Sequence, residues 1–342
     1  MSACSGGEEP TPSARGRARE GNRPAATRTE PTETHPQRIP EQTASQRTSA
    51  LREPATRTGA PVTLVLNWPE GARGHVDSSR QVTGAGNANG SAQWSFTMHH
   101  EPSRNIIETR ELFVEISPGP LDEDRLNSLL VGLSIWPSLA LDAEAEVSLR
   151  DGDRTREDIR RALAQDLTPA LREMAANSPA GVLFNTSDES LLRLAEGHTA
   201  SVTSLDGDTF TPGEDRTAMT SATSAIGIEL DQQVVTQLVG TGPCFEGDEA
   251  TRCAWITMRA TADVGPLQEA AEAAQQPLTI GSLVNEARVV VEVATLLPHR
   301  VVLEKTTTMV VHEGEENHPI ESHEVSTWNF HYERETIRRP TP

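Results

Sequence analysis

The densest run of residues able to bind metal or move protons is His312-Glu313-Gly314-Glu315-Glu316-Asn317-His318, followed by Glu321, His323 and Glu324. Imidazole and carboxylate are good ligands for zinc and similar ions, so His312, His318 and His323 form a candidate metal set. No two of them stand at i and i+4, and no His-Glu-x-x-His occurs, which excludes the helical metalloprotease pattern. The competing reading is a solvated, charged hairpin tip. His99-His100-Glu101 offers a general base at the end of an apolar strand. No Gly-x-Ser-x-Gly elbow supplies a nucleophile, and no residue is assigned a catalytic role. Asp151-Gly152-Asp153 and Asp206-Gly207-Asp208 lack the continuation of a calcium loop and read as turns. Gly84-Ala85-Gly86-Asn87-Ala88-Asn89-Gly90 has no following Gly-Lys-Ser/Thr, so it reads as a hairpin tip rather than a phosphate loop. No cofactor is implied.

Charge narrows the partners. The chain carries 30 basic and 50 acidic residues, a formal charge of -20. Nucleic-acid binding needs cationic surface to replace phosphate counterions, so it is excluded as a general function. Three cysteines are too few for a disulfide-dense scaffold or a four-thiolate zinc site. Lys305 is the one lysine, and the heavy use of Ala, Arg, Gly and Pro reads as a GC-rich bacterial coding sequence.

The chain opens Met1-Ser2-Ala3-Cys4-Ser5-Gly6-Gly7. Ser2-Ala3-Cys4 resembles the end of a bacterial lipoprotein signal, in which the cysteine is lipidated and becomes the first residue. The resemblance implies a lipid anchor at Cys4 and, with Ser5 rather than Asp after it, placement at the outer membrane. The charged and apolar parts of a signal would then lie upstream, in about 15–25 residues preceding Met1. A cytoplasmic protein with a chance Ser-Ala-Cys is the alternative. Residues 5–60 hold no aromatic residue and only Ile39 and Leu51 as large aliphatics, too little apolar surface to offset their ordering entropy. They read as a disordered tether that spans roughly 40 Å as a flexible coil. With Cys4 lipidated, Cys244 and Cys253 remain to form a disulfide in an oxidising compartment; two free thiols are the alternative. Such a ten-residue ring would stabilise the fold by about 3 kcal/mol.

The elements that must position these groups follow from periodicity. Val62, Leu64, Leu66 and Trp68 alternate with more polar neighbours, as do Ala92, Trp94, Phe96 and Met98, and then Leu112, Val114 and Ile116. Each set predicts a strand with one buried face. The middle is helical in pattern: Leu126, Leu129, Leu130 and Leu133 form one stripe, and Ile159, Leu163, Leu167, Leu171 and Met174 another, capped by Thr155 with Asp158 as its reciprocal partner. Shorter helices are expected over 189–196 and, opened by Pro266, over 267–275. Period two returns in Ala254–Ala262, Ala287–Val293, Val301–Val311 and Trp328–Tyr332, the last three expected to pair as an antiparallel meander.

The expected fold is α+β: a mainly antiparallel, curved β-sheet with a few packed helices. The disordered tail covers 1–60, the domain 61–335 with a subdomain split near 180–200, and a short tail 336–342. Ala294-Thr295-Leu296-Leu297-Pro298-His299-Arg300-Val301-Val302 is similar to a strand–turn–strand of the periplasmic lipoprotein-carrier half-barrels, which implies an apolar-ligand carrier. The expected function is therefore a non-enzymatic envelope lipoprotein. It is held at the membrane through Cys4 and binds an apolar ligand or an envelope protein. A hydrolase with a spatially assembled site and a structural module of the envelope are the alternatives. The N-terminal mass of the endogenous protein tests the anchor: an acylated Cys4 in the membrane fraction is expected, and an unmodified Met1 or Ser2 in the soluble fraction would overturn it.

Overall fold

The computed structural model describes residues 60–333 apart from 85–87, 102–103, 117–137, 143–146, 167–187, 189–190, 193–198, 200, 225–227, 246–250 and 314–315. All belong to the second of two units into which the chain divides, Met1–Gln46 and Arg47–Pro342. The tether with Cys4, the 126–133 stripe, most of the 189–196 helix, most of the expected subdomain split and the 336–342 tail lie outside the described residues.

Eleven strands form one antiparallel sheet. Strands β2 (Arg73–Thr83), β3 (Ala88–Glu101), β4 (Arg104–Ile116), β5 (Leu139–Asp142) and β6 (Val147–Leu149) make one meander. Strands β8 (Asp215–Thr223), β9 (Glu229–Pro243), β10 (Arg252–Ala262), β11 (Leu278–Glu292), β12 (Pro298–Glu313) and β13 (Glu316–Tyr332) make a second. Pairing of β13 with β2, from His323↔Thr83 to Tyr332↔Gly74, joins the two meanders into one sheet. A short β1 (Val62–Thr63) pairs separately with β7 (Thr209–Phe210). Two helices are described in full, α1 (Gly152–Asp166) and α2 (Gly265–Ala273). Among the described residues the fold is thus mostly antiparallel sheet with few helices, which bears out the α+β expectation only in part.

One face of the sheet carries the core. Val76, Ala92, Trp94, Phe96, Met98, Ile256, Val289, Val301, Trp328 and Phe330 are buried there. The period-two sets of β3, β10, β11, β12 and β13 therefore mark the inner face, as their alternation predicts. The 62–68 run differs from expectation. Leu64 and Trp68 are buried and their neighbours are not, but only Val62 and Thr63 are laddered. The rest is an extended strap whose amides bond to other loops: Leu64 N–H to Asp208 O at 3.0 Å and Asn67 N–H to Thr295 O at 3.1 Å. Alternation reports burial on one side; it does not require a neighbouring strand.

The helix ends also refine the expectations. α1 is capped by Asp151, whose carboxylate accepts from the Arg154 N–H at 2.9 Å. Thr155 sits inside the first turn, with its hydroxyl donating back to Asp151 O at 3.0 Å. Asp158 pairs with Arg161 at 3.0 Å rather than closing a capping box. The second half of that stripe, from Leu167 on, lies outside the described residues. α2 begins with its proline in the first turn, as Pro266 predicts. Its Gln268 takes the place of a strand: the side-chain oxygen accepts from the Ile280 N–H at 2.8 Å, and the side-chain amide donates to Leu278 O at 3.4 Å. Those groups lie beyond the last β10–β11 pair, Thr261↔Val284.

Gly74 allows the joint between meanders to close. A Cβ there would stand 2.3 Å from the His331 carbonyl oxygen and 2.9 Å from the Phe96 ring. Since the first of these contacts is backbone, Gly74→Ala is expected to cost about 1–3 kcal/mol. A lowered urea midpoint with unchanged slope would show it.

Candidate binding face and polar clusters

The inner face extends past the core. Moving along β12, Leu303 still packs on the core, next to Ala287. Then comes a polar belt. Lys305 is opposite Asn285 and Glu324, and Glu324 pairs with Arg80 at 2.8 Å. Burial holds the Arg80 guanidinium below its ordinary value, and the Glu324 charge partly restores it. Beyond the belt the face turns apolar again. Met309 lies opposite Ile280 on one side and Ile320 on the other, and Val311 lies opposite Leu278. Directly paired residues project to the same side, so these five form one patch. All are half-buried.

At the other end of the strands sits a buried polar cluster. The turn between β11 and β12 holds Leu296 at φ 55 while completely buried. Such a left-handed leucine costs about 1–2 kcal/mol and persists because its surroundings hold it. Glu292 N–H donates to Leu297 O, and Leu296 N–H donates to Glu292 O. The Thr295 hydroxyl donates to the buried Glu292 carboxylate at 2.6 Å and accepts from the Leu297 N–H at 3.2 Å. His299, 2% exposed, stands 3.4 Å from the other Glu292 oxygen without a hydrogen bond, between the rings of Phe245 and Tyr332. Beside it Cys244 and Cys253 form the expected disulfide, completely buried against Val290. Both cysteine sulfurs are committed to that bond, so this group is not a metal site in the oxidised protein. Pro298 opens β12, as the Leu-Pro-x-Arg resemblance implies.

The three histidines of the candidate metal set are not brought together. His312 and His323 lie on the outer face and His318 on the inner, and His312 stands six residues along β12 from Thr306, the partner of His323, about 20 Å away. His318 is 3.6 Å from Glu316, and His323 is 3.6 Å from Glu304, which also pairs with Arg288. His312 is instead bonded at both nitrogens: Nδ1–H donates to Asn317 Oδ1 at 2.6 Å, and Nε2 is 2.9 Å from the Thr279 hydroxyl. This is the connectivity of a hydroxyl, a base and an orienting amide, set on exposed strand surface. His99 faces an acid, Glu108, at 3.8 Å. The His100 side chain lies outside the described residues.

A group that sequence spacing missed stands on the outer face of the joint between meanders. His331 Nε2 is 2.9 Å from Asp77 Oδ2, and the His75 and His331 rings stack at 4.6 Å. The hydrogen bond from His331 holds the Asp77 carboxyl below its ordinary value, against the opposing effect of burial. Burial and the neighbouring His331 lower the His75 value. Its only sequence signal is His75-x-Asp77, two residues that share a strand face.

No family model matches the chain, and no curated protein matches it. Among solved structures the chain is similar to one described as "Lipid-protein interactions in lipovitellin". The identity is 10% and the TM-score 0.36, covering 81% of this chain and 26% of that one. The chain thus spans about a quarter of that protein's length. A likeness this distant carries no argument about fold or ligand.

Tyr332 reports on the buried end of the sheet. It is the one tyrosine of the chain, and its hydroxyl donates to Pro298 O at 2.8 Å. Burial, then the Glu292 charge, raises it well above the ordinary 10.0. A phenol raised on folding contributes stability that is complete below pH 10 and lost as pH rises through the folded value. Tyrosinate absorbance should therefore stay silent through pH 10 in the folded protein and appear together with unfolding. A smooth titration centred on pH 10 with the fold intact would contradict this.

Proposed function

We propose that this chain is a non-catalytic protein of the bacterial cell envelope that binds an apolar ligand, such as an acyl chain, on the inner face of its sheet. The observation that carries the reading is the half-buried patch of Leu278, Ile280, Met309, Val311 and Ile320 beyond the polar belt. An apolar chain laid there removes hydrocarbon surface from water, worth roughly 25 cal/mol per Å² covered. The Arg80–Glu324 pair and Lys305 lie where a polar headgroup would meet the protein. The disulfide supports an oxidising compartment. Lipidation at Cys4, followed by the 1–60 tether, would hold the domain near a membrane.

Protein purified from its native host should release a lipid on organic extraction, and the emptied chain should gain thermal stability with fatty acid or phospholipid. Met309→Asp and Ile320→Asp should each weaken that binding at least about tenfold by placing an unpaired charge under the chain. An empty protein with no thermal response would overturn the reading. Ester turnover lost on Thr279→Val would replace it with the hydrolase alternative, because that exposed hydroxyl is hydrogen-bonded to an imidazole, His312.

A further inference from the structure

We propose that His75, Asp77 and His331 bind a zinc-class divalent cation that bridges β2 and β13 on the outer face of the sheet. The site is independent of the apolar patch, which lies on the opposite face and at the opposite end of the strands.

The register builds it. His75 and His331 are direct cross-strand partners, so their side chains leave the sheet on the same side. Asp77 is two residues from His75 and therefore shares that side. Their inward-pointing neighbours, Val76 and Phe330, are buried in the core, which fixes the orientation of both strands. The three ligand atoms lie within 4.8 Å of one another. A zinc ion with ligands at about 2.0–2.1 Å holds them roughly 3.3 Å apart on a tetrahedron. His331 Nε2 and Asp77 Oδ2, at 2.9 Å, are already that close, and the nitrogen of the stacked His75 ring, within 4.8 Å of both, joins them by a side-chain rotation.

The chemistry of the set is specific. Two imidazoles and one carboxylate suit zinc and its neighbours rather than calcium or magnesium, which prefer all-oxygen sites. Three protein ligands leave one position for water, and the partial exposure of His331 and Asp77, 25% and 40%, gives water access to it. Gln93, opposite Asp77 on β3, hydrogen-bonds the carboxylate and would orient it as an outer-shell partner. Glu333 adds a second negative charge near His75. The ion would tie the last strand of the chain to the first strand of the sheet, so binding should stabilise the native state.

The test is titration of the full chain with Zn2+ alone, after chelation and dialysis, read by calorimetry and by thermal midpoint. One Zn2+ per chain and a raised midpoint are expected. His75→Ala and Asp77→Asn should each weaken binding more than tenfold, and Gln93→Leu by about ten- to a hundredfold, the usual cost of an outer-shell change. His318→Ala should leave the affinity unchanged. If His75→Ala does not fold, cobalt substitution of the wild type gives an independent readout: visible bands of a tetrahedral His/carboxylate site are expected. Absence of saturable binding, or binding that survives His75→Ala and falls with His318→Ala, would overturn the proposal. Neither result depends on lipid binding, so the two readings fail separately.

Discussion

The pairing of β2 with β13 is the interaction on which the rest of the sheet depends. Each meander pairs strands that follow one another in the chain. The joint brings together residues some 250 positions apart in sequence, His75 with His331 and Val76 with Phe330. Without it, Trp94 and Phe96 of the first meander and Trp328 and Phe330 of the second would present a buried face to water. Loop-closure entropy must be met before such a contact returns anything, so the joint needs strong local gains. They are visible on both faces. Aromatic rings interlock inside, with Phe96 edge-on to Tyr332 at 5.6 Å. Outside, a histidine–aspartate pair and stacked imidazoles cross the same strands. Gly74 lets the backbones approach closely enough for both.

The strands of the joint were legible to different degrees. β13 announces itself through Trp328, Phe330 and Tyr332 at period two. β2, Arg73–Thr83, does not: its only aliphatics are Val76 and Val82, and Gly74, Ser78 and Arg80 occupy its other inward positions. Serine is tolerated there because its hydroxyl donates to Ala92 O at 3.2 Å, and arginine because Glu324 meets it. A strand between two aromatic-rich neighbours can be polar, since they supply the apolar surface. Periodicity read from one segment cannot register that. β8 and β9 escaped for a related reason. β8 is the edge of the sheet and is almost wholly exposed, and β9 beside it buries Leu230 and Leu238 but separates them by Gln, Val and Thr that are only partly covered or exposed.

The histidines teach the converse lesson. His312, His318 and His323 are close in sequence, but an extended chain advances more than 3 Å per residue and alternates faces. The hairpin therefore disperses them over two faces and about 20 Å. His75 and His331 carry no spacing signal, and strand register alone places them ring on ring. In an antiparallel sheet, proximity in sequence is weak evidence for a shared site, whereas a shared register is strong evidence. Helical motifs such as His-Glu-x-x-His are readable because one helix turn does locally what here requires the whole topology.

Consolidation is concentrated at one end of the sheet. Cys253 pairs with Glu292, Val291 with Pro298, Arg300 with Asn329 and Tyr332 with Gly74, so one line across the strands collects the disulfide, the buried Glu292 cluster and the joint. Leu64 and Trp68 of the strap cover the same end, with the Trp68 ring N–H directed at Leu296 O. At the far end the ladder continues, but Met309, Ile320 and Leu278 are only half-buried, and β11 leans on the Gln268 side chain where β10 has ended. Local opening costs least where buried apolar contacts are fewest. The far end is thus the part of the sheet that could adjust to the proposed ligand while the braced end keeps the register. A binding face needs that asymmetry: strands held firmly enough at one end to preserve which residues point inward, and apolar surface left incompletely covered at the other.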